Sequence, residues 1–345
     1  MRLGSTRSVF VHAGARETTS HLEATMKRFF LLALLSAPVI VGQVMDDPIV
    51  LKVDVENRVL YRNNVSDVSK LGKEPGPVAA TENIPFVSGL NIGDIVAING
   101  EPVKGIWSYS YIHTTPFRKA PQAGQFIADA DQSAIVFCTW QIYAEDGTFL
   151  GVISDSGAGQ GHSITGTLAA FFGLSGAHSE MGMTTPARVA TTAEDPAKRR
   201  IHGGGKGSTT FHLYPRVRPA VHSTPNGPAV FHSDFSQVTA ENPARPGEAL
   251  IITATGLGPV KPNLDPPGAV KFSDLPYQEV NGPVTVIFNG KQLHVSNKIG
   301  WPGQTTLYRL DFQVPSDATA GMATIQLIAT WIPGPAVTIP VGTQR

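Results

Sequence analysis

Apolar and polar residues alternate along several stretches of this chain, a period-two pattern that is typical of β-strands with one buried face. From Ile49 to Val55 every second residue is Ile, Leu or Val, and Lys and Asp lie among the residues between them. A similar alternation runs from Leu307 to Val314 and from Ala323 to Thr330. The pattern therefore predicts half-buried strands in both halves of the chain.

Turn signals separate the apolar stretches and predict antiparallel hairpins. Asn99-Gly100 follows an apolar run that ends at Ile98, and Asn289-Gly290 follows one that ends at Phe288. Asn-Gly pairs tolerate the positive φ angles of the type I′ turn that joins two hairpin strands. The chain has 35 Gly, 27 Pro and only 16% charged residues, which favours many short strands over long helices. The predicted fold class is all-β.

The strands divide into two predicted modules. The first, residues 43–215, includes a run from Ile135 to Tyr143 that returns through Phe149 to Ile153, and a closing strand from Ser208 to Tyr214. Proline cannot donate to a sheet ladder, so the segment that follows is predicted to be an extended linker or a sheet edge. Its prolines are Pro215, Pro219, Pro225, Pro228, Pro243 and Pro246. The second module, residues 216–345, contains this linker and strands at roughly ten-residue spacing, which predicts a β-sandwich.

Residues 1–42 predict export. Met26 begins a second possible start, Lys27-Arg28 is a short positive region, and Phe29 to Val41 is mostly apolar, which is the layout of a secretory signal peptide over residues 26–42. Residues 1–25 are a polar upstream extension, and a secreted or periplasmic protein is expected to start near Gln43. A membrane-anchoring or buried helix is the alternative, but the apolar run is short for a membrane span.

Charge and cysteine content exclude several partner classes. Outside residues 1–42 the chain carries 22 basic and 25 acidic residues, so no basic footprint for nucleic acid remains. Cys138 is the only cysteine, which rules out an intramolecular disulfide and a cysteine-rich metal site. It lies in an apolar run and is predicted to be buried as a small hydrophobe rather than reactive.

No catalytic, cofactor or metal site is predicted from the residues. His162, His178, His202 and His212 form no i,i+2 or i,i+4 pair, the spacing that preorganises ligands on one element, so all four are predicted to be solvated loop or strand residues. The glycines between Ser154 and Gly176 lack the Gly-Lys-Ser/Thr of a phosphate-binding loop. The mixed-charge stretch from Arg188 to Arg200 is predicted to be a solvated, mobile loop.

Part of the first module resembles a known barrel family. The hairpin at Asp146-Gly147, the segment Gly161 to Gly166 and the segment Phe172 to Gly176 are similar to the signature of allene-oxide-cyclase-like and dirigent-like β-barrels. Those families have a fuller Gly-Gly-Thr-Gly turn where this chain has Gly166-Thr167-Leu168-Ala169, and a basic residue where it has Ser175. The resemblance implies an eight-stranded antiparallel barrel whose mostly apolar lumen holds one small ligand. It carries over no catalytic residue.

The second module resembles another family more specifically. Pro246-Gly247-Glu248, Thr255 to Pro259, Trp301-Pro302-Gly303 and Leu307 to Pro315 are similar, in this order, to the uncharacterised carboxy-terminal immunoglobulin-like domain of secreted acidobacterial proteins. The resemblance implies an immunoglobulin-like β-sandwich and no molecular role. Tyr308, Phe312 and Trp301 are predicted core residues, because large aromatic side chains dominate burial. Alternatively, an exposed Trp301 is a platform for a sugar or a partner.

Three functions stay open. The favoured one is a secreted, non-enzymatic protein that binds a small ligand or an extracellular or envelope partner, because no nucleophile is paired with a base. The second is a barrel enzyme that steers an isomerisation or cyclisation of a small apolar substrate. The third is a structural cell-envelope protein that uses the sandwich for attachment or spacing.

Overall fold

The chain folds as an all-β protein in a computed structural model that describes residues 47–62, 86–114, 134–158, 161–179, 181–191, 194–262 and 271–343. The predicted signal peptide and upstream extension lie outside these residues. Among these residues, helix is confined to a short 3-10 turn, Pro196–Lys198, and one α-helical turn, α1 (Arg199–His202). In the described part of the chain, no helix is long and apolar enough to cross a membrane.

A closed barrel occupies the first part of the chain. Its strands are β1 (Ile49–Arg62), β2 (Phe86–Ile98), β3 (Glu101–Thr114), β4 (Ala134–Tyr143), β5 (Phe149–Ala158), β6 (Gly161–Ala169), β7 (Leu174–Ser179) and β10 (Gly205–Pro215). Each pairs antiparallel with the next, and β10 pairs with β1 to close the ring of eight. Two short strands lie outside the ring, β8 (Gly182–Thr185) on β10 and β9 (Arg188–Thr191) parallel to β1.

Several predicted strands and turns of the barrel are confirmed. Ile49, Leu51, Val53 and Val55 are buried, whereas Val50 between them is exposed. The turn after Ile98 has positive φ at both Asn99 and Gly100, as a type I′ hairpin requires. The predicted closing strand is β10, and it completes the ring. The glycine-rich stretch contributes to β5, β6 and β7 instead of a phosphate-binding loop.

The barrel interior is filled with large side chains where the structure describes it. Trp140 packs edge-on against Phe211, with ring centroids 5.0 Å apart, and lies 5.7 Å from Trp107. Ile153, Leu213 and the other residues of this core are almost completely inaccessible to solvent. A lumen large enough for a ligand would leave such side chains measurably exposed to a water-sized probe, so this part of the barrel is a packed core.

The second β region, residues 220–341, follows the barrel. It contains β11 (Ala220–Val221), β12 (Ser223–Thr224), β13 (Gly227–Pro228), β14 (Val230–Phe231), β15 (Ala249–Thr255), β16 (Val260–Lys261), β17 (Glu279–Val280), β18 (Val284–Phe288), β19 (Lys291–Leu293), β20 (Val295–Gly300), β21 (Tyr308–Gln313), β22 (Gly321–Ala329) and β23 (Ile332–Val341). The proline-rich segment forms sheet edge, since β11 pairs with β15 at the end of a seven-stranded sheet.

Two sheets of this region share one apolar core. The seven-stranded sheet runs β11-β15-β21-β20-β17-β16 with β14 added to β15, and a four-stranded sheet runs β19-β18-β22-β23. Leu250, Phe312 and Ile325 are fully buried members of the shared core. The alternations predicted around Phe312 and Ile325 and the hairpin at Asn289-Gly290 are confirmed as β21, β22 and β18–β19. The division of the chain at residues 215–216 stays a prediction.

One turn of the second β region reaches the barrel core. Thr330 and Trp331, which join β22 to β23, both have positive φ. Ile332, the next residue, is buried in the barrel's hydrophobic cluster, and Trp331 packs against the same cluster. The indole Nε1 of Trp331 donates a 2.8 Å hydrogen bond to the carboxylate of Glu101. The hairpin turn therefore closes one edge of the barrel core with side chains from the other region.

The described residues of the mixed-charge stretch, 188–191 and 194–200, contribute to β9 and the short helical turns, so its prediction as a solvated loop is wrong at Arg188, Glu194 and Arg199. Arg188 makes a bidentate pair with the buried Glu194, at 2.8 and 2.5 Å. Arg199 is buried and pairs with Asp94, which also accepts from Arg200 at 2.6 Å. Asp94 lies 105 and 106 positions from Arg199 and Arg200 along the chain, so the spacing of charges in the sequence does not reveal that the fold brings them together.

Candidate functional site

Four neighbouring barrel strands place ligand-type side chains at one point of the interior. Cys138 on β4 lies opposite Asp155 on β5, and His162 on β6 lies opposite His178 on β7. All four residues are buried. One potential ligand atom from each lies within 4.8 Å of the others, and we call this group the Cys-Asp-His-His cluster.

Asp155 is the centre of the cluster. Its Oδ1 lies 2.8 Å from His162 Nδ1 and 3.1 Å from His178 Nε2. Its Oδ2 accepts a 2.7 Å hydrogen bond from the indole Nε1 of Trp140. Cys138 Sγ lies 3.5 Å from His162 Nδ1. The Trp140 donor fixes the carboxylate plane, so that Oδ1 points at the two imidazoles.

His178 is oriented by its outer nitrogen. Nδ1 lies 2.7 Å from the carbonyl oxygen of Ser179, so it carries the proton that this contact needs. Thr209 Oγ1 donates to the same carbonyl at 2.6 Å and lies 3.3 Å from Nδ1. The inner nitrogen, Nε2, is buried and makes no aligned hydrogen bond with any described residue, although Asp155 Oδ1 is 3.1 Å away.

The environment shifts two titrating groups in opposite senses. Burial favours the neutral form of Asp155, but His162, His178 and Trp140 outweigh it and lower the pKa of this carboxyl well below its usual range. Burial raises the pKa of the Cys138 thiol far above its usual range, and the nearby Asp155 charge raises it further. Asp155 is therefore an ionised carboxylate at neutral pH, and Cys138 is a thiol.

The geometry does not fit nucleophilic catalysis by Cys138. In a nucleophile–base–acid triad the nucleophile and the carboxylate contact opposite nitrogens of the histidine. Here both Cys138 Sγ and Asp155 Oδ1 contact Nδ1 of His162. The buried thiol with a raised pKa is also the opposite of an activated cysteine. The cluster can instead offer sulfur, oxygen and nitrogen ligands to a metal ion.

The predictions for the candidate residues have mixed outcomes. The burial of Cys138 is confirmed, and His202 and His212 are exposed as predicted. The prediction that His162 and His178 are solvated is wrong, because both point into the barrel. Ligand spacing along one element misses this pair, since the two histidines are 16 positions apart and meet only across the β6–β7 ladder. The register of that hairpin is the signal that predicts their contact.

A second candidate site is a surface cleft of the second β region. It has a volume of about 320 Å³ and is lined by Tyr277, Asn297, Ile299, Trp301, Pro302 and Arg309. Tyr277 is 57% exposed. Trp301 is half-buried, which departs from its prediction as a core residue, whereas Tyr308 and Phe312 are buried as predicted. We call this surface the aromatic cleft.

Neighbouring side chains hold the aromatic cleft in place. Arg309 makes a bidentate pair with Asp311 at 2.8 and 3.0 Å, and its guanidinium lies over the ring of Phe235 at 5.6 Å. Phe235 in turn packs edge-on against Trp301, with centroids 6.1 Å apart. Asn297 donates to the same Asp311 carboxylate at 3.1 Å. The polar groups of the cleft are thus positioned by fixed partners.

A larger groove of about 610 Å³ lies elsewhere on the second β region. Its lining includes Val238, Glu241, Met322 and Ile339, and it contains no aromatic side chain. Specific ligand sites combine apolar surface with a few oriented polar groups. The aromatic cleft has that combination, so it is the stronger candidate.

Comparison with known proteins adds little to these observations. No family model and no curated protein matches the sequence. Among solved structures, the N-terminal domain of an adhesin from Streptococcus gordonii matches with 10% sequence identity over 85% of this chain and 92% of that domain, at a TM-score of 0.17. A similarity this low carries no argument about fold or function.

Proposed function

We propose that this protein is an exported, non-enzymatic binding protein whose aromatic cleft takes a carbohydrate. The observation that carries the proposal is that the half-buried Trp301 and the exposed Tyr277 line one cleft beside two positioned polar side chains, Arg309 and Asn297. Exposed aromatic side chains grouped with oriented polar groups are characteristic of binding sites.

The chemistry of a sugar suits this lining. A pyranose ring has an apolar C–H face and a rim of hydroxyl groups. The face of an indole or phenol ring can cover the C–H face of the sugar. Planar guanidinium and amide groups can bind its hydroxyl groups through charge-assisted and neutral hydrogen bonds. Arg309 uses two of its five N–H donors on Asp311. The pair with Asp311 therefore orients the guanidinium and leaves three N–H donors for other contacts.

Preorganisation supports binding with little entropy loss. Phe235 adopts a positive φ of 65° at a turn that Asp234 braces by accepting from Ser236 N and Oγ, at 2.9 and 2.7 Å. Behind this turn, His232 Nδ1 lies 2.6 Å from Glu248 Oε1. A cleft held in one conformation before the ligand arrives loses little freedom on binding.

The finer structural assignments belong to the same proposal. The eight-stranded closed barrel supports kinship with allene-oxide-cyclase-like and dirigent-like barrels, and the two sheets on one core support an immunoglobulin-like sandwich in the second β region. Export rests on the signal sequence from Met26, outside the described residues. Detection of the mature chain with its amino terminus near Gln43 in the extracellular or periplasmic fraction tests that part.

The barrel gives no support to the alternative of a ligand-steering enzyme. That hypothesis needs a lumen of a few hundred Å³, and the described interior around Trp140 and Phe211 is closed by side chains. The hypothesis of a purely structural envelope protein gives no reason for the grouping of Trp301, Tyr277 and Arg309 at one cleft.

Affinity electrophoresis through gels containing soluble xylan, β-glucan or chito-oligosaccharide polymer tests the proposal with the full chain. We expect retardation in at least one polysaccharide, and Trp301→Ala to weaken the affinity by at least about 10-fold, as for the central aromatic of a binding site. Tyr277→Ala is expected to weaken the same interaction.

Phe137→Ala is the matched control. Phe137 is an aromatic side chain on the barrel strand β4, and its exposure of 62% is close to the 57% of Tyr277. This variant should keep the wild-type affinity. Migration unchanged by every polysaccharide, or retardation that persists in both cleft variants, would contradict the proposal.

A further inference from the structure

We propose that the Cys-Asp-His-His cluster is a zinc site inside the barrel, with Cys138 Sγ, Asp155 Oδ1, His162 Nδ1 and His178 Nε2 as its four ligands. This inference is independent of the aromatic cleft and goes beyond the proposed function. It assigns a divalent metal to residues for which the sequence predicts none.

The donor set and its spacing fit the ion. Structural zinc sites are tetrahedral and use cysteine, histidine and carboxylate ligands at about 2.0–2.3 Å, which places ligand atoms about 3.3–3.8 Å apart. The contacts of 3.5 Å from Cys138 to His162, 2.8 Å from His162 to Asp155 and 3.1 Å from His178 to Asp155 lie within a few tenths of an ångström of that range. The remaining pairs of ligand atoms lie within 4.8 Å of one another, so side-chain rotations that bring these donors closer by up to about 1 Å complete the geometry.

The inner nitrogen of His178 points independently to a ligand. Its Nδ1 contacts the Ser179 carbonyl at 2.7 Å, the outer contact that fixes the tautomer of metal-binding histidines. Nε2 is then directed at the cluster, buried and without an aligned hydrogen bond to any described residue. Asp155 Oδ1 lies 3.1 Å from this nitrogen, and a cation bound by both atoms would give each of them a partner.

Charge balance also favours a divalent cation. Coordination by Cys138 displaces the thiol proton to solvent, and the Nδ1 proton of His162 moves to Nε2 of the same ring. A thiolate, a carboxylate and two neutral imidazoles then surround an ion of charge +2, so the buried site is neutral overall. Neutrality lowers the cost of placing charges in a low-dielectric interior.

Residues outside the Cys-Asp-His-His cluster contact its side chains and orient them, as outer-shell residues do in metal sites. Trp140 Nε1 binds the Asp155 oxygen that does not face the cluster, at 2.7 Å. The ring of His162 stacks on Tyr109, and the ring of His178 packs 4.8 Å from that of Phe211. At Gly157 a Cβ would lie 2.3 Å from the Gly161 carbonyl, so a glycine is needed for the close approach of β5 and β6 beside His162. Asp155, His162 and His178 are consequently held by their neighbours.

Refolding the full chain with metal tests the site, because the buried position is most accessible during folding. The chain is unfolded in guanidinium with chelator, refolded with Zn²⁺ or Co²⁺, desalted and assayed for bound metal and absorption. We expect one metal per chain, a thiolate-to-cobalt charge-transfer band, and a rise in Tm of roughly 5–10 °C with Zn²⁺.

Conservative variants locate the ion. Cys138→Ser should abolish the charge-transfer band, and His178→Gln should remove stoichiometric metal, while circular dichroism shows that both remain folded without metal. His212→Gln replaces an exposed histidine and should bind as wild type. A folded wild type that retains no zinc or cobalt after refolding, or metal binding that is lost in His212→Gln and kept in Cys138→Ser, would overturn the proposal.

Discussion

The barrel region buries carboxylates, whereas the buried polar residues described in the second β region are His232, Thr253, Gln278, Asn281 and Thr330. The barrel buries Asp155, His162 and His178 among its aromatic residues, whereas the hydrophobic core of the second region consists of residues such as Leu250, Phe312 and Ile325. The second region places its charged Arg309–Asp311 pair at a surface cleft. A packed barrel interior can thus collect ligand-type side chains without being a ligand lumen.

The two regions are also joined through their cores. Ile332 belongs to the barrel's cluster although it lies on β23 of the second region. The buried Asn281 donates through Nδ2 to the Phe149 carbonyl at 3.2 Å, and at the surface Lys261 Nζ lies 3.3 Å from Asp146 Oδ2. Ile332 removes the most apolar area from water, so it is expected to dominate the coupling between the regions.

The contrast in polar burial is tested most strongly by replacing one aspartate in each region, Asp155 in the barrel and Asp311 in the second β region, with alanine. Asp155→Ala should lower the free energy of unfolding by about 3–5 kcal/mol, since it leaves Trp140 Nε1 and His162 Nδ1 without their buried acceptor. Asp311→Ala removes a partly exposed partner of Arg309 and should cost less than about 1 kcal/mol. Guanidinium denaturation in the presence of chelator measures both, and equal costs would show that the two environments are equivalent.

The coupling between the regions is tested by Ile332→Ala. Truncation of this buried side chain should cost about 2–4 kcal/mol and separate the unfolding of the two regions into distinct transitions in scanning calorimetry. Met322→Ala, on the exposed face of β22 in the same hairpin, should change stability by less than about 0.5 kcal/mol. A single unshifted transition in the Ile332 variant would show that the turn does not couple the cores.

A smaller effect is expected at the phenol of Tyr308, a polar group at the edge of the second core. Its hydroxyl donates a 2.6 Å hydrogen bond to the Gly258 carbonyl, so Tyr308→Phe should cost about 0.5–1.5 kcal/mol at neutral pH. Burial raises the pKa of Tyr308 to about 12 from 10.0. The folded state therefore keeps its proton where the unfolded state loses it, and this contribution to stability declines as pH rises from 10 towards 12.

Urea denaturation of wild type and Tyr308→Phe between pH 8 and pH 12 checks the sign. The stability advantage of the wild type should shrink above pH 10. An advantage that grows with pH would contradict a raised pKa at this phenol.

Local patterns predicted much of the architecture because strand formation and tight turns depend on neighbouring residues. The alternation around Val53 marks the buried face of β1, and Asn99-Gly100 has the φ angles that its residue types favour. The candidate sites were predicted less well. Trp301 was identified as a residue of either the core or a platform, but its partner Phe235 comes from a turn 66 positions earlier, which local patterns do not link to it.

Side-chain periodicity and the φ preferences of adjacent residues were enough to predict an all-β chain, the burial of Cys138 and the hairpins at Asn99-Gly100 and Asn289-Gly290. Only the tertiary structure decided that His162 and His178 face inward beside Asp155, and that Arg199 is buried against Asp94. The physical reason is register. Closing eight strands into a ring fixes which residues from distant strands share one level of the interior, and that alignment depends on the whole set of strand pairings at once.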